Sequence, residues 1–481
     1  MTNKTAAQAA AAGGTDETVD RSGAVCIVGA GPAGLSAARM FAAYGIDYDQ
    51  FERHTDVGGL WDIDNPGTPM YESAHFISSR DTSGFFGYPM PKSFGDYPTR
   101  LQILEYTRSF ADAFGLREKI TYSTAVADVR QDGEHWIVTP EGLAPRRYRA
   151  VVCATGTNWD PKLPQHPGQF NGEVRHSSTY RSPREFDGRR VLIVGLGNSG
   201  ADIATDAAQS AKEAFISVRR GYHIIPKHIL GRPTDSFDKG PAVPLWLLRL
   251  GIGAVNRVII GDLTRWGLPK PDHKLLESHP LVNTQLVHHL QHGDIAVKAD
   301  VVGYDGDAVL FADGSREDID LVLYATGYNY AIPYVPSDYF TWSHGRPQQY
   351  LTAFTPGRGN LITLGYLEVN SSAYTLFDQI SNMAAQYLLD QQVRPDRAAR
   401  FDDLIATDRP DLSGGLDMVK SDRHTGYLDS HTYRKYTARL RKRMGWRELS
   451  PDLFAGLGAS ERRAVPASYS SVSRGDKTLQ H

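Results

Sequence analysis

The sequence predicts an α/β protein built around two Rossmann-like dinucleotide-binding domains. Two glycine-rich turns carry this prediction, GAGPAG at residues 29–34 and GLGNSG at residues 195–200. Each turn follows a short apolar strand and opens a helix-forming segment, the context in which a GxGxxG sequence is informative. Glycines let such a turn bend tightly and approach a pyrophosphate at the N-terminus of the helix. Two such turns in one chain indicate two nucleotide cofactors that must meet.

The first nucleotide unit runs from Ala24 to Glu52. A strand at 24–28 leads into the turn, and a helix-forming segment that ends at Gly45 is followed by a second strand at 48–51. Glu52 lies 18 residues after Gly34, where a carboxylate can accept hydrogen bonds from an adenosine ribose. The GGLW sequence at 58–61 has two interpretations, an ordinary turn or a close backbone approach to a flavin phosphate or ring.

The second nucleotide unit lacks the acid of the first. Gly29 and Glu52 are 23 positions apart, and the same spacing from Gly195 reaches Val218. Ser217, Arg219 and Arg220 surround that position. A carboxylate would repel a 2′-phosphate and a guanidinium would bind it, so the pattern favours NADP over NAD. The alternative is that the two arginines are solvated surface charges.

Two further apolar strands end in the same tripeptide, Ala-Thr-Gly, at 154–156 and at 325–327. Small residues allow the chain to pass close to a cofactor, and we interpret the two sites as crossings between the nucleotide domains. Residues 221–290 form an insertion that could cover the active site, with an amphipathic surface or lid helix at 244–260. Its six histidines lack metal-ligand spacing, so no metal is expected.

The bulk composition is that of a globular protein, with 41% hydrophobic and 22% charged residues among 481. A net charge of -3 gives no reason to expect nucleic acid or an anionic membrane as partner. Cys26 and Cys153 lie in apolar runs and are expected as buried thiols, which fits a cytoplasmic location. Residues 1–22 are expected to be a disordered leader and 451–481 a polar tail. No run of about 18 apolar residues occurs, so no transmembrane segment is expected.

The stretch between the two units resembles flavin-containing monooxygenases. Phe170, Gly172, His176 and Tyr180 fit the pattern FxGxxxHxxxY, which resembles the identifying motif of that family. Other motifs of the family follow in order, namely GAGPAG with Glu52, GGLW, GLGNSGADIA and ATGY at 325–328, so that the resemblance covers residues 24–389. A lone histidine is usually a hydrogen-bonded structural group, so we expect His176 to pin the connection between the domains.

The resemblance implies a three-layer ββα flavoprotein with two dinucleotide-binding domains, one for FAD and one for NADPH. Residues 23–168 and 321–450 would form the FAD domain, and residues 169–320 the NADPH domain. The residues expected to bind FAD are Gly29, Ala30, Gly31, Pro32, Ala33, Gly34, Glu52, Arg53, Gly59, Leu60, Trp61, Val126, Ala154, Thr155, Gly156 and Gln379. Those expected to bind NADPH are Gly195, Gly197, Asn198, Ser199, Gly200, Ser217, Arg219 and Arg220. The polar C-terminal sequence is similar to that of soluble bacterial-type members of the family.

The implied activity is oxygenation of a small molecule. NADPH would reduce the flavin, O2 would bind it as a C4a-hydroperoxide, and a soft nitrogen or sulfur would take one oxygen atom. Members commonly have Asn where this chain has Ile77, so Ser78, Ser79 and Arg80 are the candidate catalytic residues. Either serine could replace the missing donor, or both could be loop caps.

Other activities stay open at this point. One is a Baeyer–Villiger enzyme acting on ketones, although such enzymes usually carry Trp where this chain has Tyr180. Others are a flavin reductase or oxidase that releases H2O2, and a nucleotide sensor without catalysis. The sequence contains no CxxC, which disfavours a disulfide reductase. The oligomeric state is open, with a homodimer among the options.

Overall fold

The computed structural model describes residues 17–239, 245–279, 281–419 and 426–458. Eight α-helices lie in these ranges: α1 (Pro32–Ala43), α2 (Arg100–Ala113), α3 (Asn198–Ser210), α4 (Leu245–Ile259), α5 (Gln285–His292), α6 (Tyr374–Val393), α7 (Pro395–Thr407) and α8 (Ser430–Met444). Two parallel sheets, each with a glycine turn at the end of a strand, organise these helices into two nucleotide domains.

The larger sheet has eight strands and carries the first glycine turn. Its parallel strands lie in the order Arg358–Thr363, Arg146–Cys153, Val19–Val28, Tyr48–Phe51 and Ile120–Thr121. Phe354–Thr355 pairs antiparallel at one edge, and the hairpin of Val126–Asp132 and His135–Pro140 pairs antiparallel with the start of Arg146–Cys153. Alternate residues of the strand Val19–Val28 face α1 and α6 on one side and the hairpin on the other.

The smaller sheet has five parallel strands and carries the second glycine turn. Their order is Glu173–His176, Leu321–Tyr324, Arg190–Val194, Glu213–Ser217 and Ile295–Lys298. One face packs on α3 and α5, and the other packs on an antiparallel sheet of Val301–Asp305, Ala308–Phe311 and Arg316–Asp318. Both domains therefore have two β layers and one helical layer, which confirms the predicted fold class.

The remaining strands have two residues each and form antiparallel pairs. They are Gly84–Phe85, Tyr88–Pro89, Asp160–Pro161, His228–Ile229, Arg232–Pro233, Tyr328–Asn329, Trp342–Ser343 and Arg346–Pro347. Cys26 and Cys153 are both buried free thiols, as expected. Burial raises the pKa of the Cys153 thiol to about 12.

The structure corrects several of the predicted boundaries. Residues 19–22 are not part of a leader, because Val19 already pairs with Arg146 in the larger sheet. The strand Leu321–Tyr324 lies in the smaller sheet, so the second part of the FAD domain does not begin at residue 321 but after this strand. The first core is the hydrophobic core between the larger sheet and the helices α1 and α6. Leu453 and Phe454 pack into it, so the tail does not begin at 451. Residues 1–16 and 459–481 of the predicted termini lie outside the described residues.

Helices also differ from the sequence expectation. α7 and α8 were not predicted, and both pack against the first core through buried residues on one side of each helix. α5 begins at Gln285 and belongs to the helical layer of the smaller sheet, so the insertion ends before residue 285.

Candidate active site

A cavity of about 2270 Å³ opens where the two glycine turns face each other. Its wall contains residues of both turns, both Ala-Thr-Gly crossings, the insertion and the segment that precedes and begins α8. Both nucleotide sites therefore open into one space, as a reaction between two cofactors requires.

Each glycine turn passes against the crossing of its own domain. A Cβ placed on Gly29 would lie 2.7 Å from the carbonyl oxygen of Ala154, and one on Gly195 would lie 2.8 Å from that of Ala325. Both glycines also have positive φ, +103° and +107°. Any larger residue would therefore clash at either position. Because only glycine fits, a pyrophosphate can approach the backbone of each turn closely.

Glu52 borders the cavity at the end of its strand. Its carboxylate accepts hydrogen bonds from the backbone N–H of Ala30 at 2.6 Å and from that of His54 at 2.9 Å. Burial raises the pKa of Glu52, while these two donors act in the opposite direction. Beside it, the guanidinium of Arg53 lies over the ring of Trp159 at 4.1 Å. This arrangement fits an adenosine ribose next to the first turn.

The strand register shows that Val218 is the counterpart of Glu52. Val28 pairs with Phe51 in the larger sheet, and Val194 pairs with Ser217 in the smaller one. The residue that follows each pair is therefore Glu52 in one domain and Val218 in the other. No acid stands at the second ribose position, as the spacing in the sequence predicts.

The three polar residues around Val218 differ in their surroundings. Ser217 is buried and its hydroxyl donates to the carbonyl of Ala299 at 2.7 Å. Arg220 pairs with Asp272 at 3.2 Å. Arg219 is exposed, borders the cavity and pairs with no carboxylate among the described residues. Arg219 is thus the best placed of the three for a 2′-phosphate.

The first two residues of the FxGxxxHxxxY motif, Phe170 and Gly172, pack against each other. A Cβ on Gly172 would lie 2.7 Å from the Phe170 ring, which in turn stacks on Tyr304 at 5.0 Å. Phe170 and Gly172 are therefore packing residues at the start of the strand Glu173–His176.

His176 lies at the joint between the domains, where the segment that ends in Tyr180 meets the second crossing. Its Nδ1 accepts the backbone N–H of Ser178 at 3.1 Å, and its ring lies 5.1 Å from that of Tyr328 in the second crossing. Burial lowers the pKa of His176, which keeps the ring neutral and able to accept that hydrogen bond.

Tyr180 is fully buried and does not border the cavity. Its ring stacks on Phe186 at 4.9 Å, and its hydroxyl donates to Asp206 of α3 at 2.8 Å. The last residue of the motif is therefore part of the joint between the domains and not of the cavity wall.

The structure corrects two of the three predicted catalytic residues. Ser79 is buried, with its backbone N–H donating to Asp235 at 2.6 Å. Arg80 donates to the carbonyl groups of Lys92 and Phe94. The hydroxyl of Ser79 lies 3.0 Å from that of Thr82. Neither Ser79 nor Arg80 borders the cavity, whereas Ile77 and Ser78 do.

Most of the predicted FAD residues border the cavity, and Gln379 is an exception. It lies on α6, of which Tyr374 and Phe377 border the cavity, as does Ala373 just before the helix. Ala30, Gly34 and Gly200 shape the two turns without facing the cavity.

The insertion covers one side of the cavity, as expected. Leu247, Ile252 and Val255 of α4 border it, and Arg249 of the same helix is anchored on the carbonyl of Leu275 at 2.8 Å. The predicted lid helix is therefore part of the wall. Its predicted first residue, 244, lies outside the described residues.

The segment before α8 was not predicted to reach the cavity. His279 of the insertion bonds the hydroxyl of Tyr427 at 3.0 Å, and the backbone N–H of Val419 donates to the carbonyl of Glu277 at 2.7 Å. These contacts join the insertion to a distant part of the chain across the cavity. No local sequence pattern signals them, since each depends on the tertiary fold.

Metal-ligand clusters and membrane-spanning helices do not occur in the part of the chain that the structure describes. No group of three or more His, Cys, Asp or Glu side chains there could hold a metal ion. No helix in the same ranges is both long and apolar enough to cross a membrane.

Comparison with known proteins places this chain in a family. The family model for flavin-binding monooxygenase-like proteins matches residues 22–427. Flavin-containing monooxygenase 5 of Rattus norvegicus is 30% identical over 435 residues, which cover 84% of this chain and 81% of that protein. Dimethylaniline monooxygenase [N-oxide-forming] 2 of Mus musculus is 28% identical over 434 residues, with the same coverage of 84% and 81%.

Solved structures share the fold at lower identity. S-allyl-L-cysteine S-oxygenase from Allium sativum has a TM-score of 0.60 at 22% identity, covering 91% of this chain and 92% of that one. A steroid monooxygenase bound to NADP has a TM-score of 0.65 at 20% identity, covering 87% and 98%. Family membership supports the two predicted cofactors, FAD and NADPH. The chain belongs to the flavin-containing monooxygenase family and is a flavin-dependent monooxygenase.

Proposed function

We propose that this enzyme transfers one oxygen atom of O2 to a soft nitrogen or sulfur of a small molecule. The observation that carries the proposal is that both glycine turns and the loop with Ile77 and Ser78 border one cavity. FAD bound there would supply the redox chemistry that connects NADPH with O2. The protein then has to position the cofactors and exclude water.

The residues of the first turn and Glu52 hold FAD in this proposal. Glu52 retains lone pairs for the ribose hydroxyls beyond those used by the N–H groups of Ala30 and His54. In the second domain Arg219 binds the 2′-phosphate of NADPH, because Val218 offers no competing negative charge.

The wall facing the cofactors is largely apolar. Trp61 comes from the first domain, and Ile252 and Val255 come from the insertion. Apolar groups at these places keep water away from the reacting atoms, while Ser78 offers one hydroxyl. The insertion and the segment before α8 also border the cavity, and we propose that they select the substrate.

The names of similar proteins agree with this chemistry. One relative is named for N-oxide formation and one protein of the same fold is named an S-oxygenase. Oxygenation at nitrogen or sulfur is accordingly the function we favour. A cytoplasmic location and a homodimer stay predictions from the sequence.

Ketone oxygenation is the second candidate. The sequence argument against it was that Tyr180 replaces the Trp usual in Baeyer–Villiger enzymes. Because Tyr180 is buried away from the cavity, this residue cannot touch a substrate. The fold is also shared with cyclohexanone monooxygenase, at a TM-score of 0.65 and 18% identity.

A product assay separates the two candidates. The purified protein is incubated with NADPH, O2 and a tertiary amine, a thioether and a cyclic ketone, and products are identified by mass spectrometry. We expect N-oxide or sulfoxide in excess over lactone. Lactone as the main product would support the second candidate, and NADPH consumption that yields only H2O2 would contradict both. Bleaching of the flavin by NADPH under nitrogen checks the first step alone.

A further inference from the structure

Two acids on α3 face the joint between the domains. Asp202 and Asp206 are one helical turn apart and therefore lie on the same side of the helix. Asp202 accepts hydrogen bonds from the amide of Asn283 at 2.7 Å and the hydroxyl of Tyr71 at 3.2 Å. Neither acid was singled out from the sequence, where a polar residue within a helix is ordinary.

Asp206 joins two separate parts of the chain at one atom. Its Oδ2 accepts the hydroxyl of Ser73 at 2.5 Å and the hydroxyl of Tyr180 at 2.8 Å. Ser73 lies in the loop that leads to Ile77, and Tyr180 ends the motif that links the domains. Because both donors share one buried carboxylate oxygen, neither can move away without disturbing the same acceptor.

The loop of residues 70–78, which we call the strap, is attached to both domains. At its start, the backbone N–H of Glu72 donates to the carbonyl of Arg181 at 2.8 Å, next to Tyr180. Towards its end, Phe76 packs on Trp61 at 5.5 Å and on Tyr374 at 5.7 Å, both in the first domain. Ile77 and Ser78 follow and border the cavity. The position of these two residues thus depends on attachments to both domains.

We propose that Asp206 is a positioning residue that fixes the strap to the NADPH domain through Ser73 and Tyr180, and thereby holds Ile77 and Ser78 over the cavity. The inference rests on the proposed oxygenase function for its consequence, which is the efficient use of NADPH. A strap that moves would admit water to the cavity, and more of the reducing power would end as H2O2.

The hydrogen bonds of Asp206 could instead serve only the stability of the fold, and this alternative has different consequences. The Tyr180 ring already packs on Phe186, so the hydroxyl is not needed to fill space. If the hydrogen bonds served stability alone, their loss would lower the melting temperature without a specific effect on the strap. A matched control exists in the first domain, where Tyr148 is fully buried and its hydroxyl donates to Asp49 at 2.7 Å.

The test compares Ser73→Ala, Tyr180→Phe and the control Tyr148→Phe in the flavin-loaded protein. Hydrogen–deuterium exchange of residues 70–78 without NADPH reports on the strap directly. We expect roughly tenfold faster exchange in Ser73→Ala and Tyr180→Phe, as loss of one charge-assisted hydrogen bond allows. The ratio of H2O2 to NADPH should rise in the same two variants, and Ser73→Thr, which keeps the hydroxyl, should resemble wild type.

Two outcomes of these measurements would contradict the proposal. The proposal is wrong if Ser73→Ala and Tyr180→Phe leave strap exchange at the wild-type rate, or if Tyr148→Phe changes exchange and H2O2 release equally. If the wild type forms no oxygenated product, the proposed function fails, but the exchange experiment still decides whether Asp206 fixes the strap.

Discussion

Arg219 should determine the preference for NADPH over NADH. It borders the cavity next to Val218, at the position where an acid would bind the ribose of NAD. Its neighbour Arg220 is already paired with Asp272 at 3.2 Å, and Ser217 donates to Ala299. Replacing Arg219 by Ala therefore removes the one guanidinium of this segment that faces the cavity without a described ion-pair partner.

The expected magnitude is that of a hydrogen bond between a guanidinium and a phosphate. A hydrogen bond to a charged group contributes about 1.5 to 3 kcal/mol, and about 1.4 kcal/mol corresponds to a factor of ten. We expect kcat/KM for NADPH to fall by about one to two powers of ten in Arg219→Ala. The value for NADH should stay within about twofold, because NADH has no 2′-phosphate for the arginine to bind.

The assay is flavin reduction by each nucleotide under nitrogen, followed by absorbance. Arg220→Ala is the matched control, since it removes an arginine that is adjacent but engaged with Asp272. An unchanged preference in Arg219→Ala together with a reversed preference in Arg220→Ala would refute our assignment. Equal losses with both nucleotides would indicate a general disturbance of the domain instead of phosphate recognition.

Three more predictions concern the first turn, the strap and the joint. Gly29→Ala should give protein without flavin colour, because its Cβ would lie 2.7 Å from the Ala154 oxygen, whereas Gly23→Ala, with nothing within 4 Å, should bind flavin normally. Ile77→Asn should lower the amount of H2O2 released per NADPH, measured with peroxidase, since it adds a donor at the cavity. Asp202→Asn should make the melting temperature less sensitive to pH above about pH 4. Burial raises the pKa of Asp202 above 3.8, so its contribution to stability is lost as the pH rises through the folded-state pKa, and a greater pH sensitivity in the variant would contradict this.

The sequence was sufficient where local spacing determines the structure. Both glycine turns, the equivalence of Glu52 and Val218 and the buried cysteines depend on strands and helices a few residues away. The parallel βαβ unit repeats these distances in both domains, so counting residues from Gly29 and Gly195 leads to the correct partners.

The residues after the strap and the motif could not be predicted by such spacing. Ser79 and Arg80 were expected at the cavity, yet Ser79 is held by Asp235 and Arg80 by the carbonyl groups of Lys92 and Phe94. Tyr180 is recognisable as part of a motif, but its hydrogen bond to Asp206 becomes visible only when α3 is packed beside the joint. Loop side chains take their direction from tertiary contacts, for which the sequence has no period.

This division explains why cofactors were predicted and the substrate was not. The cofactor residues lie on turns that end regular strands, and such turns have recognisable spacing. The part of the wall that we propose to select the substrate comes from the insertion and the segment before α8. These two parts are joined by His279 with Tyr427 and by Glu277 with Val419. Tyr180, the one residue that seemed to discriminate nitrogen or sulfur chemistry from ketone chemistry, lies outside the cavity. We therefore expect the choice between these reactions to depend on residues that border the cavity, such as Ile77 and those of the two segments.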